Sequence, residues 1–248
     1  AAPIDMKVGK WFEDIGLLFL QGYGLTETAP IAALTPDFDT RVGSAGKAVH
    51  GDEIMIKNPN ERGEGEILIK GKTVMLGYYE NPEATAEVME DGWFNSGDIG
   101  YMDDDGFLYI TGRSKNVIVT QNGKNIYPEE IEGLLAKVPE IAECMVYGKE
   151  VNGEKELIIT AKVIPDYDAI NELHGKEKKD QERPFTEDEI YKIIWNQIKQ
   201  VNRKLTNYKC VKRLEIKTDQ FEKTSTLKIK RFAEIQKDKE AEAAGKTE

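Results

Sequence analysis

Asp98 and Arg113 lie at the two ends of a predicted β-hairpin, where an acid and a base could together bind a nucleotide. Residues 99–102 and 107–111 are rich in β-branched and aromatic side chains, and an acidic turn at residues 103–106 separates them. Because a hairpin returns its two ends to one place, the side chains of Asp98 and Arg113 are expected to meet. A carboxylate accepts hydrogen bonds from ribose hydroxyls, and a guanidinium donates to hydroxyls or anions. The alternative is an ordinary surface ion pair, which the local sequence by itself favours.

A second group of polar residues follows a glycine-rich turn near the start of the chain. Tyr23 stands between Gly22 and Gly24, so the backbone could approach a ligand closely while the ring offers a flat apolar face. Thr26 offers a hydroxyl to a phosphate oxygen, and Glu27 offers the hard oxygen ligand that suits Mg²⁺. Each feature also has a simpler interpretation, as a packed tyrosine and as a Thr-Glu cap or surface pair.

Composition excludes several classes of function. The 248 residues include 45 acidic and 34 basic side chains, giving a formal net charge of −11, which argues against a nucleic-acid-binding protein. No apolar run approaches the roughly 20 residues of a membrane span. The two cysteines, Cys144 and Cys210, fit reduced thiols in a cytoplasmic protein better than a disulfide scaffold. The two histidines, His50 and His174, are far apart, which argues against a histidine zinc site or a Ser-His pair.

The segment up to residue 112 is predicted to be rich in β-strands. It begins with a short amphipathic helix that carries Val8, Trp11, Phe12 and Ile15 on one face. Strands are predicted at residues 52–57 and 65–70, separated by glycine and proline residues, and the hairpin follows them.

The remainder of the chain is predicted to be a compact α+β unit. A helix begins at Pro128, and a second helix begins at the capping box of Thr186 and Glu189 and continues through Leu205. Strands are predicted at residues 117–120, 142–147 and 156–164. We expect residues 166–184 to form a solvated surface insertion, and residues 238–248 to fray, because both segments are highly charged.

Four stretches of the sequence together resemble the adenylate-forming (AMP-binding) superfamily, which includes the acyl-CoA ligases. In chain order they are QGYGLTET at residues 21–28, GEGEILIKGKTVMLGYYENP at residues 63–82, DGWFNSGDIGYMDDDGFLYITGR at residues 91–113 and KTSTLKIKR at residues 223–231. The last stretch, together with VNRKL at residues 201–205, is most similar to the long-chain fatty acyl-CoA ligases.

The resemblance implies that this chain is the C-terminal part of a larger enzyme. The family's phosphate-gripping loop belongs upstream of YGLTET, and these residues contain no such loop. The implied fold is a β-rich remnant of the large N-terminal domain, a distorted barrel at residues 1–112, followed by a small α+β lid domain at residues 116–248. Residues 113–115 would form the hinge between them. We expect this part alone to be inactive.

The resemblance also assigns roles to individual residues. It implies that Tyr23 stacks on adenine within the Gly22–Gly24 turn, that Thr26 contacts the α-phosphate and that Glu27 holds Mg²⁺. It implies that Asp98 accepts hydrogen bonds from both ribose hydroxyls and that Arg113 reaches the same sugar.

Three further residues would serve the two steps of the reaction. By the resemblance, Lys228 enters the site for adenylation and leaves it for thioester formation, Lys115 is the hinge, and Gly123 lines the coenzyme A tunnel. In isolation Lys228 would be a solvated surface charge. The commoner family motif has a proline where this chain has Glu222 and a glycine where it has Leu227, which changes the flexibility expected of the loop.

The implied reaction joins a carboxylate, such as a fatty acid, to coenzyme A at the expense of ATP. The substrates are then the carboxylate, ATP with Mg²⁺ and coenzyme A, and peripheral membrane contact stays open. Two alternatives remain: an adenylation domain that loads a carrier-protein thiol, and a non-catalytic nucleotide-binding or interaction module.

Overall fold

The computed structural model describes residues 6–120, 123–150, 157–175, 185–224 and 228–244. The chain divides into two compact units, Ala1–Asn116 and Val117–Glu248. Each unit has its own hydrophobic core.

The first unit is mostly β-structure. Its elements are helix α1 (Met6–Asp14), strands β1 (Gly22–Tyr23), β2 (Ala33–Leu34), β3 (Lys47–Ala48), β4 (Asp52–Lys57) and β5 (Gly65–Gly71), helix α2 (Pro82–Val88), and strands β6 (Met89–Glu90), β7 (Trp93–Met102) and β8 (Leu108–Arg113). Short 3₁₀ turns lie at Thr26–Thr28, between β1 and β2, and at Ser114–Asn116, after β8.

A five-stranded antiparallel sheet forms the centre of the first unit. Strand β7 pairs with β5 on one edge and with β6 and β8 on the other, while β4 pairs with the far edge of β5. The central strands place Ile67, Ile69 and Phe94 in the core. The predicted strands at 52–57 and 65–70 and the predicted hairpin are confirmed. Alternating side chains and glycine turns specify these elements locally.

Helix α1 is confirmed, but its apolar face is largely uncovered in the part of the chain that the structure describes. Val8 and Trp11 are exposed, and Ile15 lies beyond the end of the helix. Phe12 stacks on Phe19, with ring centroids 5.8 Å apart. The sequence pattern therefore predicted the helix but not what covers its face.

The second unit combines helices with a three-stranded sheet. Its elements are strands β9 (Ile118–Val119) and β10 (Asn125–Ile126), helix α3 (Pro128–Leu135), strands β11 (Ile141–Glu150) and β12 (Leu157–Pro165), helices α4 (Tyr167–His174) and α5 (Glu187–Asn202), strand β13 (Arg213–Ile216) and helix α6 (Arg231–Ala244).

Strand β12 is central in the second sheet, antiparallel to β11 and parallel to β13. Helices α3 and α5 cover this sheet with buried isoleucine and leucine residues. The predicted helix starts are confirmed, since Pro128 is the first residue of α3 and Thr186 and Glu189 form a complete capping box before α5. The predicted strand at 117–120 is only two residues long, and α5 ends at Asn202 rather than Leu205.

Two charged segments form helices that the sequence analysis did not predict. Residues 167–174 of the expected surface insertion form helix α4, whose side chains are mostly exposed, but Ile170 is buried in the core and His174 Nε2 lies 2.8 Å from Glu140 Oε1. The expected fraying is wrong for residues 238–244, which belong to helix α6. Asp238 of that helix accepts hydrogen bonds from the buried Lys162. This charge pairing stabilises a segment whose composition suggested that it would fray. The remaining parts, 176–184 and 245–248, lie outside the described residues.

Across the residues that the structure describes, every helix is too short or too polar to cross a membrane.

Cys144 is expected to resist alkylation in the folded protein. Its thiol is largely buried, and burial raises the pKa to about 12. The thiolate is the reactive species, so only about one thiol in 10,000 would be ionised at pH 8. Peptide mapping after iodoacetamide treatment should show Cys210 modified first and Cys144 modified only after unfolding in guanidinium. Equal native labelling of both thiols would contradict this.

Candidate nucleotide-binding site

The hairpin brings Asp98 and Arg113 together at its open end. The two residues are directly opposite each other in the β7–β8 register, and Arg113 Nε donates to Asp98 Oδ1 at 2.8 Å. The Asp98 side chain is 9% exposed, whereas that of Arg113 is 50% exposed. A carboxylate is therefore held inside the fold, beside a cation that still faces solvent.

Tyr23 is the third residue of this group and contacts Asp98 directly. Its hydroxyl donates to Asp98 Oδ2 at 2.7 Å. Burial, and secondly the charge of Asp98, raises the pKa of Tyr23 above its usual range, so the hydroxyl remains a neutral donor. Sequence reasoning placed both residues in one site but missed this contact. We refer to Tyr23, Asp98 and Arg113 as the Asp98 cluster.

The Asp98 carboxylate retains capacity to bind a ligand. A carboxylate offers about four acceptor positions, two on each oxygen. Tyr23 uses one position on Oδ2 and Arg113 uses one on Oδ1. Within the part of the chain that the structure describes, one position on each oxygen is left, which matches a pair of adjacent hydroxyls.

Gly24 is required by the fold of the turn itself. A Cβ atom at this position would lie 1.9 Å from the backbone oxygen of Pro30. At Gly24 the absence of a side chain therefore makes room for the backbone of Pro30, whereas the sequence analysis suggested room for a ligand. Gly22 lies in β1 and pairs with Leu34 in β2.

Thr26 and Glu27 lie in the 3₁₀ turn that follows Tyr23. The Thr26 side chain is exposed. Glu27 Oε1 accepts a hydrogen bond from the Tyr78 hydroxyl at 3.0 Å, and its backbone oxygen accepts one from the amide of Met75 at 2.8 Å. Tyr78 was not predicted as a site residue, although it lies in the GYYENP segment that carried part of the family resemblance.

Arg41 fastens the turn of the hairpin and was also missed. Its two terminal nitrogens donate to Asp103 Oδ2 and Asp105 Oδ2, both at 2.7 Å, and its guanidinium lies 4.0 Å from the ring centroid of Phe107. The acidic turn is therefore bonded to Arg41, which helps to hold the hairpin that carries the Asp98 cluster.

Lys115 and Gly123 belong to connecting segments. Lys115 is exposed in the turn Ser114–Asn116, at the end of the first unit. Gly123 has a positive φ of 70° in the turn between β9 and β10, and a Cβ placed there would meet no atom within 4 Å. Asn122 lies outside the described residues.

Lys228 is exposed and belongs to the second unit. Its backbone oxygen accepts from the amide of Thr224 at 2.8 Å, and its own amide donates to Thr224 Oγ1 at 3.2 Å. Residues 225–227, including Leu227, lie outside the described residues.

Two family models match the two parts of the chain. A model described as AMP-binding enzyme matches residues 1–79, and one described as AMP-binding enzyme C-terminal domain matches residues 130–228. The chain belongs to the AMP-binding enzyme family. The first match contains Tyr23, Thr26 and Glu27, and the second ends at Lys228.

Known AMP-binding enzymes are similar to nearly all of this chain. The long-chain-fatty-acid–CoA ligase FadD15 from Mycobacterium bovis is 33% identical over 239 residues, which cover 93% of this chain and 38% of that protein. Two solved structures of O-succinylbenzoate coenzyme A synthetase (MenE) from Bacillus subtilis are each 27% identical and cover 93% of this chain and 44% of theirs. The complex with ATP and magnesium ion has a TM-score of 0.71, and that with the acyl-adenylate OSB-AMP has 0.73.

These likenesses confirm the predicted α+β fold of an AMP-binding enzyme. The chain spans less than half the length of these relatives.

The described side chains of this chain would bind a magnesium ion only together with a ligand that also coordinates it. Across the described ranges there is no group of three or more His, Cys, Asp or Glu residues that could hold a metal. Mg²⁺ is commonly bound through one or two carboxylates together with substrate phosphates and water. Glu27, beside the exposed Thr26 hydroxyl, fits that arrangement.

Proposed function

We propose that the whole protein is an ATP-dependent acyl-CoA ligase. A carboxylate attacks the α-phosphorus of ATP to give an acyl-adenylate and pyrophosphate, and the thiol of coenzyme A then displaces AMP to give the thioester. The observation that carries this proposal is the buried Asp98 carboxylate, which is held by Tyr23 and Arg113 and which, among the described residues, has one acceptor position left on each oxygen.

The proposed roles divide the nucleotide among a few residues. Asp98 accepts from the two ribose hydroxyls, Arg113 donates to the same sugar, and the Tyr23 ring lies against adenine. Thr26 donates to the α-phosphate, and Glu27 would hold Mg²⁺, which neutralises phosphate charge when bound. The hydrogen bond from Tyr78 is consistent with a Glu27 carboxylate held ready for that ligand.

Two residues of the second unit would act in successive steps. Negative charge grows on the phosphoryl oxygens during adenylation, and Lys228 supplies a cation to stabilise it. Gly123 would leave room for the pantetheine arm of coenzyme A, which its open surroundings support. Lys115 and its neighbours would form the hinge, residues 113–115, at which the lid rotates between these steps.

We further propose a long-chain fatty acid as the carboxylate, on the basis of the similarity to FadD15. The similarity to the succinylbenzoate enzyme makes an aromatic acid the main competitor. The decisive experiment assays the full-length protein against fatty, aryl and amino acids by carboxylate-dependent exchange of pyrophosphate into ATP. Exchange with amino acids, followed by transfer to a carrier protein rather than to coenzyme A, would favour the carrier-loading alternative. No exchange with any acid would favour a non-catalytic module.

Asp98→Asn in the full-length protein is expected to weaken ATP binding roughly 10- to 100-fold. The isosteric amide keeps the shape of the side chain but loses the charge, and hydrogen bonds to a charged group contribute about 1.5–3 kcal/mol each. Isothermal titration calorimetry measures the effect directly. Asp104→Asn, an equal charge change in the exposed turn of the same hairpin, is the matched control and should leave affinity unchanged. An Asp98→Asn affinity within twofold of the parent would remove Asp98 from the site.

A further inference from the structure

Arg231 forms the most extensively bonded ion pair near Lys228. It is the first residue of helix α6, three positions after Lys228, and its side chain is 18% exposed. Its Nη1 and Nη2 donate to Glu132 Oε1 and Oε2 at 2.7 and 2.9 Å. This two-pronged geometry between guanidinium and carboxylate is both strong and directional.

The same pair also engages the backbone of strand β11 at one residue. Arg231 Nη1 donates to the backbone oxygen of Val146 at 2.6 Å, and the amide of Val146 donates to Glu132 Oε1 at 2.6 Å. Burial alone would lower the pKa of Arg231, but the carboxylates of Glu132 and Glu129 raise it above its ordinary value, so the guanidinium stays charged. Helix α3, strand β11 and the start of α6 are thus fastened at a single point.

Backbone hydrogen bonds connect this point to Lys228. Lys223 and Ile229 pair as an antiparallel bridge, and the amide of Lys230 donates to the backbone oxygen of Glu222 at 2.8 Å. The amide of Glu222 in turn donates to Glu234 Oε1 in α6 at 2.8 Å. The described residues on either side of 225–227 therefore form a closed stem, and Lys228 belongs to it.

The two ion pairs that Glu222 forms in this stem are weaker restraints. Lys230 and Lys237 both donate to the Glu222 carboxylate, but their side chains are 46% and 59% exposed. Exposed pairs contribute little to holding a backbone in place, because solvent screens them and their side chains remain mobile. Lys223 of the stem also pairs with Glu143 of β11, and these side chains are 29% and 32% exposed. Those of Arg231 and Glu132 are both 18% exposed, so this pair is the more buried one and its removal is expected to have the larger effect.

We propose that Arg231 is a positioning residue for the adenylation step. By binding Glu132 and the Val146 carbonyl, it holds the backbone from which Lys228 projects, so that the lysine ammonium reaches a defined position. This inference rests on the proposed function of Lys228 in adenylation. A lysine side chain is flexible but has a limited reach. The position of its backbone therefore sets the region that its ammonium group can occupy.

A purely structural role for Arg231 makes a different prediction. If the arginine only stabilised the packing of α6 within the second unit, its loss would lower both half-reactions together, because a smaller fraction of the protein would be folded. If it positions Lys228, the loss falls on adenylation alone, and on kcat rather than on the KM for ATP.

The test uses Arg231→Lys in the full-length protein, which keeps the charge but loses the two-pronged contact. We expect the kcat of pyrophosphate exchange to fall at least 10-fold with the KM for ATP within twofold, and thioester formation from supplied acyl-adenylate to stay within twofold. Arg213→Lys, the same substitution at a half-exposed arginine of the same unit, should change neither half-reaction. The double variant Arg231→Met/Glu132→Gln removes both charges of the two-pronged pair and should behave as Arg231→Lys does.

Hydrogen–deuterium exchange supplies a readout that does not depend on catalysis. The amides of residues 228–230 should exchange at least 10-fold faster in Arg231→Lys, while those of helix α5 keep their protection. Equal loss in both half-reactions, unchanged adenylation, or unchanged exchange at 228–230 would each overturn the positioning role. Failure of the proposed function looks different, because the parent protein itself would show no pyrophosphate exchange or Lys228→Ala would retain it.

Discussion

Lys228→Ala in the full-length protein is expected to lower carboxylate-dependent pyrophosphate exchange roughly 100- to 1000-fold, the range found when one preorganised donor to a developing oxyanion is removed. Charge accumulates on the α-phosphoryl oxygens and on the leaving pyrophosphate only during adenylation. Thioester formation from supplied acyl-adenylate is therefore expected to continue at close to the parent rate. Both half-reactions can be followed separately, by label exchange into ATP and by release of AMP on addition of coenzyme A.

The matched control for this variant is Lys239→Ala. Lys239 is an exposed lysine on helix α6, so the substitution removes the same charge from the same unit. We expect it to leave both half-reactions unchanged. If Lys228→Ala lowered both half-reactions equally, a specific role for this lysine in adenylation would be wrong.

Lys115→Pro is expected to produce the opposite pattern, with adenylation retained and thioester formation lowered roughly 100-fold or more. Lys115 lies in the short turn Ser114–Asn116 at the end of the first unit. Proline fixes its own φ near −65° and restricts the residue before it, so a backbone rotation at this position is blocked. The measurement is the rate of AMP release when preformed acyl-adenylate meets coenzyme A.

Lys115→Ala separates the backbone effect from the loss of the side chain. Alanine removes the lysine charge but leaves φ and ψ free, so both half-reactions should proceed. Normal overall turnover of Lys115→Pro would count against a hinge at this residue. A loss in Lys115→Ala equal to that in Lys115→Pro would assign the effect to the side chain instead.

The sequence by itself determined the elements whose signals are local. The acidic glycine turn and its flanking strands predicted that Asp98 and Arg113 meet, and the two residues are paired in the sheet. Pro128 predicted the start of α3, and the Thr186–Glu189 capping box predicted the start of α5. Each of these features depends on a few consecutive residues, so backbone preference and side-chain capping are sufficient to specify it.

Tertiary structure decided the contacts that complete the candidate site. The Tyr23 hydroxyl reaches Asp98 across 75 positions, and Arg41 reaches the acidic turn across 62. The pair of Arg231 and Glu132 spans 99 positions. A charged or polar side chain has no periodicity that identifies a distant partner, so composition alone gives no sign of these bonds.

The two helices that were not predicted have the same physical origin. Residues 167–174 were expected to be a solvated insertion and residues 238–244 to fray because both are highly charged, yet both are helical. Burial of Ile170 and pairing of Asp238 with Lys162 supply the stabilisation that their local composition lacks. Short-range preferences therefore determined where strands and helices begin in this protein. Long-range burial and charge pairing decided that residues 167–174 and 238–244 are helical, that Tyr23 contacts Asp98 and that Arg231 contacts Glu132.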